Sequence, residues 1–512
     1  MTAFDPYLAF SRFGLGARPG DLAALSGDPK VALVAEIADP TTLFLADAGL
    51  PSTPDAFTQV REFQKARQLQ RMQAAAAAGL PAAGADMMAA GSPTPKASMT
   101  GVPAIAASAT TTAMADDTMG AMAAAPPVTK PVKPGPDAYK TITPNPNTMM
   151  QAEIAARLVR ALAVPIGFGE RLVAFWANHF AVQTAADEVV LGLAGAFERE
   201  AIRPYVLGKF GDMALAATQH PAMLMSLNNA TSIGPNSPQG LKSGKGLNEN
   251  LGRELMELHT VGVDAGYTQA DVTSFAKVLT GWTFGRGENE PEIYGRFVFR
   301  QYAHEPGPQT VMGKVYAQKG VDQGVAVIAD LSKSPATAKH IATQFATYFV
   351  ADSPDPVLVE RLADIFHKSG GDLKKVTMAL INSPEAWAAP AEKLRTPQEF
   401  LWSAVRALRL DIKPAMVNRT LADLGEPLWN PPSPQGYKDD AATWLAPDAM
   451  TTRVDIAELL ASQDKGLGDP VQLASDVLGE KLSSNTKTAI ERAESRGQAV
   501  ALLLMSPEFQ RR

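Results

Sequence analysis

From Met149 onward, apolar residues recur three and four positions apart, the spacing that lines up one face of a helix. That pattern predicts helices over 150–163, 168–183, 187–201, 203–217, 248–261, 268–281, 321–332, 335–350, 354–369, 371–382, 396–409, 413–424, 452–463, 469–478, 484–495 and 497–505. Thr268 followed by Asp271, Ser383-Pro384 and Thr396-Pro397 are helix-start signals, because a side-chain oxygen can accept from the first free N–H groups. One stretch, 294–317, alternates instead: the runs Arg296–Tyr302 and Thr310–Tyr316 flank the turn-rich His304-Glu305-Pro306-Gly307-Pro308. The expected fold is therefore mainly α, a multi-helix globular bundle with one small β-hairpin near 294–317. No period of 20–50 residues recurs, which argues against a regular solenoid.

The pattern lapses between Phe63 and Tyr139, where 75 residues pass without an aromatic. Within that gap, residues 74–125 hold 21 Ala and 6 Met but four charges, and a run with Pro126, Pro127, Pro131, Pro134 and Pro136 follows. Small side chains bury too little area to offset an ordering cost of about 1–2 kcal/mol per residue. The domain expectation is an N-terminal helical segment over 1–79, its end prolonged by alanines, and a low-complexity Ala/Met/Pro-rich disordered insertion over 80–138. The main helical domain then spans 139–512. A Met-rich segment that docks on a partner is the other reading of the insertion.

Composition narrows the chemistry. The 512 residues carry 47 Lys and Arg against 53 Asp and Glu, a net charge of −6, with no basic excess to displace phosphate counterions. Nucleic acid is not an expected partner. With no cysteine, disulfides, iron–sulfur clusters and thiolate zinc are excluded, leaving six His and the carboxylates for metal binding. The uncharged stretch Ala97–Ala115 is cut by Gly101 and Pro103, so no membrane span is expected. Asp5 precedes the first basic residue, Arg12, so no secretory signal is expected. Cytoplasmic residence is the default, with export alongside a partner as the alternative. Gly14, Gly16 and Gly20 are spaced one residue too long for a dinucleotide fingerprint, and GLKSGKG at 240–246 lacks phosphate-loop spacing.

The densest polar stretch runs from Asn248 to Thr260. At 100° per residue, Glu249, Asn250, Arg253, Glu254 and Glu257 share an arc of about 140°, opposite Leu251, Leu255 and Leu258. Glu249, Arg253 and Glu257 stand four apart and read as a solvated salt-bridge row. Glu254 borders the leucine face, so it should be half-buried and need a partner or a raised pKa. His179 falls in an apolar stripe between Leu172, Phe175 and Trp176, usually the place of a core residue. His304 sits beside Glu305 in a loop-like setting where function concentrates. The candidate catalytic residues are Glu254, Glu257 and His304; the candidate metal ligands are His179, Glu254 and His259. A divalent metal there would hold a water nucleophile near neutral pH. His259 lies about 140° from Glu254 on an ideal helix, so tertiary packing must supply the other ligand. His220, His340 and His367 are assigned no role. The late segment Trp429–Tyr437 with Trp444 either stacks on a glycan or pins its loop to the core.

The blocks RFGLGARPG (12–20), FWANHF (175–180), HPAML (220–224), NENLGRELMELHTVGV (248–263), LTGWTF (279–284), HEPGPQTVMGK (304–314) and PPSPQGY (431–437), with Trp444, resemble a bacterial family, domain of unknown function 1800. The resemblance implies a mostly helical protein, often encoded beside a member of domain of unknown function 1501, which typically carries an export signal. Glu305 stands where relatives would carry Asp, and Gly252 where a bulkier residue is common.

Two functions follow as expectations. One is a His/carboxylate-site protein, a metal-dependent hydrolase-type enzyme. The alternative is a non-catalytic partner or assembly factor for an exported protein encoded nearby. The insertion supplies a first test: deleting 80–138 should leave a cooperative thermal transition within a few degrees of the parent's, and loss of cooperativity would make the segment structural.

Overall fold

Polar residues just ahead of each apolar run start the helices. Asn145 and Thr148, Thr268 and Asp271, and Thr396 and Glu399 form reciprocal capping boxes. Ser334, Asp355 and Asp469 each cap a helix whose first turn carries a proline, which needs no N–H there. The computed structural model describes residues 5–25, 27–38, 43–45, 49–77, 142, 144–244, 246–388, 390–466 and 468–512. Those that position the site are α1 (Pro146–Ala163), α2 (Phe168–His179), α3 (Glu188–Phe197), α4 (Asn250–Glu254), α5 (Gln269–Val278), α6 (Pro335–Phe349) and α7 (Pro397–Ala407). The fold is mainly α, as the periodicity predicts. The insertion expected over 80–138 lies outside the described residues.

Two predicted helices change pitch partway. α3 runs into a π-helical turn at Glu198–Ile202, and α4 into another at Leu255–His259. A π turn inserts one extra residue per turn, so wheel positions beyond Glu254 no longer follow a 100° step. α4 also lies close on α5: a Cβ at Gly252 would sit 3.0 Å from the Ala276 nitrogen. That contact is the physical reason for glycine here.

The β content is two small antiparallel pairs. β1 (Trp282–Phe284) pairs with β2 (Phe297–Phe299), setting Trp282 against Phe299. β3 (Gln309–Val311) pairs with β4 (Lys314–Tyr316) across Met312-Gly313, both at positive φ, as two-residue hairpin loops require. A small hairpin thus stands where expected, but the two alternating runs do not pair with each other. The segment between them is held on the protein body instead. His304 Nδ1 lies 3.0 Å from the Thr280 carbonyl, and the Glu305 carboxylate accepts from Asn236 N at 2.9 Å and Nδ2 at 2.6 Å. The first run therefore turns back to pair upstream.

The described residues up to 63 and from 144 to 512 form one compact unit, and 64–77 belong to a second. In the first, Phe13 packs 5.0 Å from Trp387 and 5.7 Å from Phe168, ring centre to centre, so the N-terminal segment is core material. Buried loop carbonyls need donors, and arginines supply them. Arg12 donates to the carbonyls of Ala386 (2.6 Å) and Pro390 (3.0 Å). Arg406 of α7 donates to those of Gly16 (2.8 Å), Ala161 (2.7 Å), Val164 (2.8 Å) and Pro165 (2.5 Å). No described helix is long and apolar enough to cross a membrane.

Arg406 thus stitches the N-terminal glycine segment to the end of α1. Arg406→Leu strands four carbonyls and should lower stability by about 3 kcal/mol or more in urea unfolding. A loss below about 1 kcal/mol would mean that water replaces the guanidinium.

Candidate functional site

The helix that carries the sequence-derived candidates behaves as a polar surface row. Arg253 bonds Glu249 at 3.1 Å and Glu257 at 3.2 Å, and Glu249 also accepts from Thr273 (2.6 Å) and Gln269 (2.8 Å). Glu254 is half-buried, and burial, then the charge of Glu257, pushes its carboxyl up. Among the described residues it has no hydrogen-bond or ion-pair partner, imidazole included. Glu257 is occupied by Arg253 and by the Tyr267 hydroxyl.

The histidines lie deeper. His179 packs edge-on to Phe180 at 4.6 Å and beside His259 at 5.6 Å, ring centre to centre. Its Nε2 faces the His259 carbonyl at 3.1 Å and so carries the proton. Burial then holds the imidazole neutral, with its pKa lowered to about 3, so Nδ1, 2.9 Å from Gln344 Oε1, can pair only with that amide turned to present its NH2. His259 is held well below its ordinary pKa by burial, then by His179 and His340, and neither ring nitrogen has a hydrogen-bond partner among the described residues. His340 meets the Leu258 carbonyl at 2.9 Å. His304, expected in a mobile and exposed setting, is 5% exposed, because Thr280 and the Phe299 ring enclose it. The structure brings His179 and His259 together but not Glu254, Glu257 or His304 with them. Among the described residues, no group of three or more His, Asp or Glu could hold a metal ion. His179 and His340 point N–H groups, not lone pairs, at backbone carbonyls, so this donor set does not fit a divalent metal.

A different set of side chains converges between α1, α2, α6, α7 and the segment 426–439. They line a pocket of about 620 Å³, counting the solvent at its mouth. The neighbour of His179 reaches it: Asn178 Nδ2 donates to the Tyr437 carbonyl at 2.9 Å, and Tyr437 N donates to Asn178 Oδ1 at 2.7 Å. Gly436, at φ +81°, permits that approach, since a Cβ would sit 2.5 Å from the Asn178 carbonyl. Trp429 and Trp444 are buried and donate to Glu198 (3.0 Å) and to the Lys438 carbonyl (3.0 Å), so these indoles pin the loop. Tyr437 and Pro431 line an adjoining cleft.

The pocket floor is a buried charge network. Glu399 meets Arg171 and accepts from Arg512 Nε at 2.6 Å. Asp439 lies 3.2 Å from Lys393 and 3.8 Å from Arg512. Burial pushes the Glu399 carboxyl up, but Arg171 and Arg512 outweigh it and hold the group ionised, well below the usual carboxylate range. Burial wins at Asp439, whose carboxyl is raised in spite of Lys393 and Arg512. Burial also raises Glu426 to about 8, although Gln398 N donates to it at 2.7 Å. Glu426 is therefore a neutral acid at pH 7, beside a carboxylate that stays charged.

The sequence reading missed this set because its members lie far apart in the chain. Asn178, Glu399, Glu426, Tyr437 and Asp439 share no local spacing, and Glu399 reads as an ordinary capping residue. The available signals were the FWANHF and PPSPQGY blocks, whose Asn178 and Tyr437 line the pocket.

The chain belongs to the family described as protein of unknown function (DUF1800), which matches residues 8–511. No curated protein and no solved structure matches it.

The raised Glu426 pKa has a thermodynamic sign. The folded state keeps a proton that the unfolded chain releases above about pH 4.5. Stability from this group is thus full below about 4.5 and is lost as pH rises towards 8. Glu426→Gln should flatten that decline and gain on the parent by about 4 kcal/mol between pH 5 and 8.5. Parallel slopes of stability against pH would place the Glu426 carboxyl near its ordinary value.

Proposed function

We propose that the chain is an acid–base enzyme of hydrolase type working through carboxyl groups in this pocket. The observation that supports it most is one pocket holding Glu426 protonated near neutral pH beside an ionised Glu399. Environments that push two carboxyls apart separate a proton donor from a charged group, the division of labour that acid–base catalysis needs. In this reading Glu426 protonates the leaving atom, and Asp439, raised by burial, takes the proton from the attacking water. Glu399 stays charged and fixes Arg171 and Arg512. The roles first sought at Glu254, Glu257 and His304 pass to these carboxyls, and His179 and His259 serve as packing.

The test is a panel of esters, amides, lactones and glycosides assayed with the parent, Glu426→Gln and Asp439→Asn. Activity should fall by about 100-fold in each variant while thermal unfolding stays cooperative. In the parent it should decline as pH rises through about 8, because the protonated Glu426 is the working form. A blank panel, together with copurification of the neighbouring exported protein, would support the partner function instead. Activity unmoved by either substitution would remove the pocket from the chemistry.

A further inference from the structure

The polar atoms of this pocket do not balance. Arg171 is 1% exposed, its Nη1 meets Glu399, and its plane lies 4.7 Å from the Tyr348 ring centre. Its Nε and Nη2, which together form one edge of the guanidinium, have no hydrogen-bond partner among the described residues. Both carboxylate oxygens of Asp439, on the same pocket, also lack one, despite the nearby Lys393 and Arg512. Buried donors and acceptors are nearly always satisfied, by protein, water or ligand. Here unfilled donors and unfilled acceptors line one concavity.

The geometry of each half selects a chemistry. Two parallel N–H groups on one guanidinium edge match the two oxygens of a carboxylate. Asp439 can take a hydroxyl or ammonium hydrogen. The charge of Arg171 is already offset by Glu399, so the site favours a monoanion over a phosphate dianion. Trp402 and Ala174 form apolar wall, and the half-buried Tyr348 ring closes over the guanidinium, which keeps the ligand small.

We infer that the pocket binds a small organic acid with a hydrogen-bond donor beside its carboxylate, a hydroxy or amino acid, its carboxylate on the Arg171 Nε–Nη2 edge and its donor on Asp439. This names the acid fragment that a substrate or product of the site proposed above would carry, and rests on that reading of the pocket.

Calorimetric titration of the full chain with lactate, alanine, acetate, glycerol and inorganic phosphate tests it. Lactate or alanine should bind at least about tenfold tighter than acetate, which lacks the donor, and than phosphate or glycerol. Arg171→Lys removes the paired edge and should weaken lactate by about tenfold or more. Because that substitution touches a buried ion pair, Asp439→Asn is the second arm. It should erase the preference for lactate over acetate while thermal unfolding stays cooperative. Equal binding of lactate and acetate, tighter binding of phosphate, or lactate affinity unmoved in Asp439→Asn would each overturn the assignment. If lactate binds as expected but the substrate panel is blank, the enzyme reading fails and the ligand stands. If the panel succeeds while all five probes bind alike, the ligand falls and the enzyme reading stands.

Discussion

Glu399 is taken out of water and kept charged, and much of the structure is arranged around that constraint. An isolated buried carboxylate would protonate instead. It stays ionised because Arg171 of α2 and Arg512, from the far end of the chain, both face it. The same carboxylate accepts from Thr396 N at 3.2 Å and so closes the capping box that starts α7. Helix start, helix pairing and C-terminal docking thus share one side chain. Removing any partner of such a buried ion costs about 3–5 kcal/mol, because the remaining charge stays buried.

That charge shapes its surroundings. The Glu426 carboxyl, buried near it, is raised first by desolvation and further by Glu399, so the two cannot both ionise readily. Asp439 is raised in the same way against two cations. A fixed negative charge, two carboxyls pushed up and an arginine edge without a partner therefore occur in one concavity. At its edge one buried charge is fully matched: Arg203 meets Glu170 at 2.8 Å and Glu198 at 2.9 Å.

Segments remote in sequence deliver the pocket. Leu15, from the N-terminal glycine block, lines it, and the Ser403 hydroxyl of α7 donates to the Leu15 carbonyl at 3.1 Å. Tyr437 reaches it through the paired bonds to Asn178. The imidazoles one residue or one helix away are turned into the core, where burial among aromatic rings keeps them neutral.

Local pattern alone determined the helices, their caps and the salt-bridge row, because 3.6-residue periodicity and capping act over a few residues. Arg253 does pair with Glu249 and Glu257, and Thr268 and Thr396 do cap. The half-burial of Glu254 was legible for the same reason. What lay beyond local pattern was decided in three dimensions. The π turn at Leu255–His259 broke the helical wheel, β2 found its partner upstream, and His304 was drawn inside. The pocket was out of reach of the sequence because its pKa values come from burial and from charges hundreds of residues apart. Only folding sets Arg512 on Glu399, and only that contact separates an ionised carboxylate from the protonated one beside it.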